Sequence, residues 1–272
     1  MTSLYCTQSF ATVDSPVVQG LAGASRAGVP REAIFSNPAS VSAINGTFAF
    51  LHYQIPQIAD FNAGGRAFSA GVYDGGDKNW KGGFGYSRTA KAAIQNNSQG
   101  YIDRRELRFA TGHAITESIQ AGVAARWINN YAVPGSDRFF EGDLGILFPL
   151  FADLRGGITY ENILNKEDDS PTTAGVGATY ALGYGFQLFA DGYRLMSGTK
   201  TGERGWSLAT EASLSNDFFV RGGLFEEAYR ALKGWSLGAT WMGPKASFDY
   251  AMKIAGKGPK EKTHILGMTL TL

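Results

Sequence analysis

From Gly46 onward apolar and polar residues alternate in short runs, separated by clusters of Gly, Pro, Asn, Asp and Ser. Period-two alternation is the mark of a strand with one apolar face. In the last run Leu266, Met268, Leu270 and Leu272 share a face, with Ile265, Gly267, Thr269 and Thr271 opposite. Trp235, Leu237, Ala239 and Trp241 oppose Ser236, Gly238 and Thr240, and Ile119, Val123 and Trp127 oppose Gln120, Gly122 and Arg126. The pattern predicts strands over roughly 46–55, 64–72, 79–88, 102–113, 118–131, 139–148, 154–162, 173–181, 186–194, 205–214, 218–226, 234–242, 246–253 and 262–272. The first two alternate least cleanly, and Thr89–Gln95 and Phe225–Leu232 have the composition of helical turns. Residues 16–45 are not strand-like and read as loop with a short helix.

Fourteen strands of mostly nine to eleven residues suit a closed antiparallel barrel whose tilted strands cross a bilayer. Connection lengths add a direction. The even connections are short (73–78, 114–117, 149–153, 182–185, 215–217, 243–245) and most odd ones longer (89–101, 163–172, 195–204). Outer-membrane barrels have short periplasmic turns and longer outside loops, so both termini are expected on the periplasmic side. All nine prolines fall in the N-terminal segment or in a predicted connection, as a closed ladder requires.

Composition decides what the alternation leaves open. Of 272 residues 44% are hydrophobic, mean hydropathy is −0.14, and no stretch is apolar enough for a membrane helix, although a barrel apolar on one face only needs none. Formal charge of +1 gives no reason to expect nucleic acid. Alternation alone fits a soluble periplasmic barrel or sandwich as well as a membrane one, with the faces exchanged. Three features favour the membrane. Strand bodies carry Arg66, Arg105, Arg108, Arg126, Arg155 and Arg221 against only Lys81 and Lys253, which suits a confined interior where arginine pairs with Glu106, Glu141, Asp143, Glu161, Asp191, Glu211 and Asp249. All five tryptophans (Trp80, Trp127, Trp206, Trp235, Trp241) fall near predicted strand ends, where aromatic girdles form. The closing Gly267–Leu272 resembles the β-signal read by barrel-assembly machinery.

The N-terminal segment carries the most specific pattern. Gly20-Leu-Ala-Gly-Ala-Ser-Arg26-Ala-Gly28, then Glu32-Ala-Ile-Phe-Ser-Asn37-Pro38-Ala39, then Gly46-Thr-Phe-Ala-Phe50, resembles the start of FadL-like and PorV-like outer-membrane barrels. That resemblance implies a hatch inside a fourteen-stranded barrel, with Arg26, Asn37, Pro38 and Ala39 at plug or gating positions. It divides the chain into a plug segment, 1–45, and a barrel, 46–272. It also implies a channel for small or hydrophobic molecules in a Gram-negative outer membrane. The sequence departs from that family in length: its outer connections do not exceed about thirteen residues and are polar, as at Asn96-Asn97-Ser98, Lys166–Ser170 and Gly198–Gly202.

Little other chemistry is offered. His52, His113 and His264 lack ligand spacing, so no metal or cofactor is expected. Cys6 has no partner for a disulfide, and Tyr5 before it does not suit lipidation. No charged-then-apolar leader opens the chain, so an exported protein is expected in its mature form behind Met1. Gly82–Gly85 and Gly183–Gly185 are not phosphate loops; strand glycine is expected to mark bends or close packing. Glu141 and Asp143 share a face, but beside Arg108, Arg126 and Arg155 they read as ion pairs rather than acid–base catalysts, and no enzyme is expected. The expected lumen lining is Arg108, Arg126, Glu141, Asp143, Arg155, Glu161, Asp191, Glu211 and Asp249. Expected partners are outer-membrane lipid, the assembly machinery during insertion and a hydrophobic small molecule or lipid. The alternative is a non-transporting structural or partner-binding barrel, oligomeric or lipid-binding.

Overall fold

A computed structural model describes residues 15–28, 30–58, 66–76, 80–95, 98–132, 135–164, 171–228, 231–256 and 261–272. The N-terminal segment forms α1 (Pro16–Gly20) and two 3-10 helices, Pro30–Phe35 and Pro38–Ala43. Fourteen strands follow: β1 (Gly46–Ile58), β2 (Arg66–Gly75), β3 (Trp80–Gln95), β4 (Ser98–Ala114), β5 (Gln120–Ala132), β6 (Gly135–Phe151), β7 (Leu154–Glu161), β8 (Thr173–Gly183), β9 (Phe186–Leu195), β10 (Arg204–Ser215), β11 (Phe218–Glu227), β12 (Leu232–Met242), β13 (Ala246–Ala255) and β14 (Glu261–Thr271). Each pairs antiparallel with its sequence neighbour, and β1 pairs β14 from Phe48↔Thr271 to Ile58↔Glu261, which closes the barrel. Closure matters in lipid, because no ladder group is left without a partner at an open edge.

The apolar face points outward. Trp235, Leu237 and Leu270 are exposed by 39, 51 and 38%, whereas Arg126 and Glu141 are buried to 4 and 0%. A soluble barrel would show the reverse. All five tryptophans lie on the exposed face. Trp206 and Trp235 sit near strand ends next to longer connections, Trp127 lies five residues inside the same end of β5, and Trp80 and Trp241 lie at ends next to short turns. Rings at two levels bracket an apolar band, as headgroup-seeking indoles should. Short-turn positions hold His113 stacked on Trp80, ring centres 4.8 Å apart.

Four strand-level expectations change. Thr89–Gln95 is strand, not helical turn: β3 and β4 run to 16 and 17 residues and pair down to Gln95↔Ser98. Likewise β6 has 17 residues, so the long connections expected at 89–101 and 132–138 shrink to a few residues. At 3.3 Å per residue and a tilt near 45°, 17 residues rise about 40 Å, well past the ~25 Å apolar band. Beyond the band no outward apolar residue is needed, so the alternation fades while backbone pairing continues. Second, Phe225–Glu227 continue β11 rather than forming a helical turn. Third, Pro56 and Pro149 lie inside strands. Pro56 falls past the last β1–β2 pair, Gln54↔Ala67, and Pro149 sits at a register shift opposite Arg155. Both are places where a missing N–H costs little. Fourth, β1 and β2 alternate cleanly, with Phe50, His52, Gln54, Ala67, Ser69 and Tyr73 buried inside. Cys6, Asn96, Asn97 and Lys166–Ser170 lie outside the described residues.

Candidate functional site

The plug is seated on glycine. Gly112, Gly122 and Gly145 are direct cross-strand partners on β4, β5 and β6, all on the inward face. Together they form a trough without side chains. Pro38 and Ala39 lie in it: a Cβ on Gly122 would overlap the Pro38 backbone, and one on Gly112 would come within 2.9 Å of the Ser42 nitrogen. On β7 and β8, Gly157 and Gly177 face each other and leave room for Arg26 and Ala27. These glycines are close-approach positions, which side-chain volume would forbid.

Asn37 locks the seat. Its carboxamide oxygen accepts from the Ala39 amide at 3.0 Å, capping the second 3-10 helix. Its Nδ2 donates to the carbonyls of Arg26 (2.8 Å), Ile146 (3.2 Å) and, more weakly, Ile158 (3.4 Å). Asparagine suits this place because one amide both caps a helix start and donates to a strand wall. Pro38 follows at the first helical position, where its missing N–H is not needed.

Arg26 is the electrostatic anchor. It forms an ion pair with Glu161 at 3.0 Å and approaches Asp191 at 3.5 Å, donates to the Thr159 hydroxyl at 3.1 Å, and lies 5.1 Å from the Tyr193 ring centre. Asp191 Oδ2 also accepts from the backbone amides of Ser25 (2.8 Å) and Arg26 (2.9 Å). Burial disfavours the Arg26 charge, yet Glu161 and Asp191 beside it hold its pKa above the usual guanidinium value. Arg26 therefore stays charged at any ordinary pH.

Further ties come from the wall. Tyr73 Oη accepts from the Ile34 amide (3.2 Å), Arg108 donates to the Ile34 carbonyl (2.8 Å), and Lys81 to the Ile44 carbonyl (2.6 Å). Across the barrel α1 packs on β11 to β14, where Pro16 fits over Gly267 and Gly20 meets Gly238. Ser236 donates to the Gly20 carbonyl at 3.0 Å, and Val17, Leu21 and Ala24 form an apolar cluster with Phe189 and Ala209.

A cavity of about 190 Å³ remains between plug and wall, lined by Val18, Ser25, Arg26, Phe35, Arg108, Arg126, Asp143, Glu161 and Asn162. Its charges are paired. Glu106 sits 2.6 Å from Arg108 and 3.7 Å from Arg104, and Arg126 lies 2.9 Å from both Glu141 and Asp143. Arg126 also bonds Asn162, whose backbone amide donates to Asp143 at 2.8 Å. A second interior network lies toward β10 to β13, where Arg221 bonds Glu211 and Thr240, and Thr240 bonds Asp249.

The plug residues Arg26, Asn37, Pro38 and Ala39 thus come together on one side of the lumen, with Glu161 and Asp191. Arg108, Arg126, Glu141 and Asp143 line the cavity or its wall, and Glu211 and Asp249 lie apart in the second network. Arg155 has inward parity with Gly157 and Thr159 but is exposed at the short-turn end of β7. Arg66 and Arg105 are not interior: both are exposed on the outward face, Arg105 in line with Leu107 and Phe109. The sequence reading missed Arg104, Tyr73 and Lys81 as inward groups and the glycine trough as a seat. No group of three or more metal-ligating side chains occurs among the described residues.

Neither a protein-family model nor a curated protein sequence matches the chain. Solved structures do. The CymD monoaromatic hydrocarbon channel aligns with TM-score 0.81 at 13% identity, over 95% of this chain and 97% of that one. The Pseudomonas putida toluene transporter TodX aligns with TM-score 0.77 at 12% identity, over 97% and 100%. A Pseudomonas aeruginosa FadL homologue gives 0.73 at 11%, over 96% and 99%. The fold is that of the FadL-like barrels: fourteen strands, closed, transmembrane, with an internal N-terminal plug.

Proposed function

We propose that the chain is an outer-membrane channel that passes small hydrophobic molecules around or past residues 16–45. The observation that carries this is a plug seated inside a closed fourteen-strand barrel, in the fold of proteins described as hydrocarbon channels. Both barrel ends of the chain, Gly46 and Thr271, lie at the short-turn edge, which the proposal places in the periplasm. The barrel is a conduit, not an enzyme.

By volume, the 190 Å³ cavity is comparable to the roughly 150 Å³ that holds a benzene-sized molecule in an apolar core. Its ionic lining does not suit a resident hydrocarbon. The proposal therefore has the solute cross when the plug shifts, with Arg26, Asn37, Pro38 and Ala39 as gating residues and the paired charges as a lining that holds the rest position. The paired interior also supports the rival reading, a non-transporting barrel whose lumen serves stability. Proteoliposome flux separates the two. Uptake of toluene above that of empty liposomes is expected, and deletion of residues 16–45 is expected to raise both uptake and ionic conductance. Unchanged permeability on that deletion would remove the gating role.

A further inference from the structure

The plug lays one aromatic ring against the barrel wall. Phe35, at the end of the first 3-10 helix, meets the Phe50 ring edge to face at 5.5 Å between centres. The His52 ring lies 5.7 Å from Phe35 and stacks on Phe50 at 5.0 Å. From β4 the Arg108 guanidinium stands 5.4 Å from the Phe35 ring centre. Arg108 is itself fixed, by Glu106 at 2.6 Å and by the Ile34 carbonyl at 2.8 Å. Edge-to-face contact and a cation near a ring recognise any six-membered aromatic, whether or not the chain supplies it. The space filled by Phe35 is thus shaped for a monoaromatic ring.

The Phe35 side chain also has somewhere to go. It is half-buried and borders the 190 Å³ cavity, which exceeds the roughly 150 Å³ that holds benzene. Turning into that space would vacate its slot while the Ile34 amide and carbonyl keep their bonds to Tyr73 and Arg108. Beside the slot lies polarity that the resting chain leaves unused. His52 and Gln54 are inward neighbours on β1, exposed by 2 and 6%. His52 Nε2 and Gln54 Oε1 are both buried and have no hydrogen-bond partner among the described residues. The other imidazole nitrogen, Nδ1, lies 3.4 Å from the Ser69 hydroxyl. Unmatched buried polar atoms are costly, and two together on one strand face call for a bonding group that phenylalanine cannot provide.

We propose that the Phe35 slot is a subsite for a hydroxylated monoaromatic solute, a phenol. The solute ring replaces the Phe35 ring between Arg108 and the Phe50–His52 stack. Ser69 donates to His52 Nδ1, so Nε2 carries the proton and donates to the solute oxygen, while the solute O–H donates to Gln54 Oε1. The subsite rests on the channel reading above and narrows its solute class: the rings admit a monoaromatic, and the polar end selects one with a hydroxyl.

The test gives proteoliposomes holding the full chain either p-cresol or p-xylene, rings of similar size in which a hydroxyl replaces a methyl. Uptake is followed by stopped-flow absorbance and taken above that of empty liposomes. Wild type is expected to pass p-cresol about fivefold faster, the worth of one net hydrogen bond. His52→Leu/Gln54→Leu is expected to bring the ratio to about one, and the milder Gln54→Leu to lower it in part. Phe35→Ala, which leaves the slot open, is expected to raise p-cresol uptake severalfold. Heat-dependent gel mobility identifies the variants that form closed barrels. A wild-type ratio near one, a ratio that these closed variants retain, or p-cresol uptake unmoved by Phe35→Ala would each overturn the subsite. Absence of uptake of both solutes by the wild type would instead overturn the channel reading, and the subsite with it.

Discussion

The plug rests on two seats built on different principles. On the tall side, Arg26 and Asn37–Ala39 fit a glycine trough on β4 to β8 and are held by directional bonds to buried partners. On the short side, α1 lies on β11 to β14 by small-residue contact and one serine hydrogen bond, and a small apolar cluster ties it and Ala24 to Phe189 on β9 and Ala209 on β10. Directional bonds and shape fix a register, whereas apolar contact tolerates sliding. The comparison therefore assigns fixed placement to the Asn37 side and freer movement to the α1 side.

Substitutions should separate the seats, the heaviest loss first. Arg26→Leu removes the partner of buried Asp191 and should destabilise the plugged state by about 3 to 5 kcal/mol, seen as collapsed hydrogen-exchange protection over residues 25–43. Asn37→Ala loses a cap and the wall bonds together, and should cost about 2 to 3 kcal/mol, with raised ionic conductance in planar bilayers. Gly145→Ala places a methyl on the Asn37 carboxamide and should cost about 1 to 3 kcal/mol. Its diagnostic reading is exchange that rises at residues 37–43 but not at 16–22. Ser236→Ala, on the other seat, should cost about 1 kcal/mol and loosen residues 16–22 alone. If Ser236→Ala freed the whole plug as fully as Asn37→Ala, the two seats would be one cooperative unit.

The barrel was legible because a bilayer imposes a simple code. Every membrane-crossing strand must show lipid an apolar face, so period two survives even in ordinary overall hydropathy. The code stops where the bilayer stops, which is why the far ends of β3, β4 and β6 read as loop or helix. Arg105 shows a different failure. Its charge suggested the interior, although its parity with Leu107 and Phe109 already placed it outward. Asn37 and Pro38 are legible through the family resemblance of the segment that holds them. The trough beneath them did not, because Gly112, Gly122 and Gly145 become neighbours only once three strands take their register. Glycine's use there is volume left empty for a distant segment, and sequence order does not display that partner.

The seam between β1 and β14 joins residues more than two hundred positions apart, and the final amide, Leu272 N–H, donates to the Thr47 carbonyl at 3.0 Å. Until that junction forms, both flanking strands expose unsatisfied backbone to hydrocarbon, so no arc of the cylinder is a stable stopping point. Assembly is therefore committed late, by its most sequence-distant contacts. A lesion confined to the last dozen residues would be felt as failure of the whole rather than as damage to one edge.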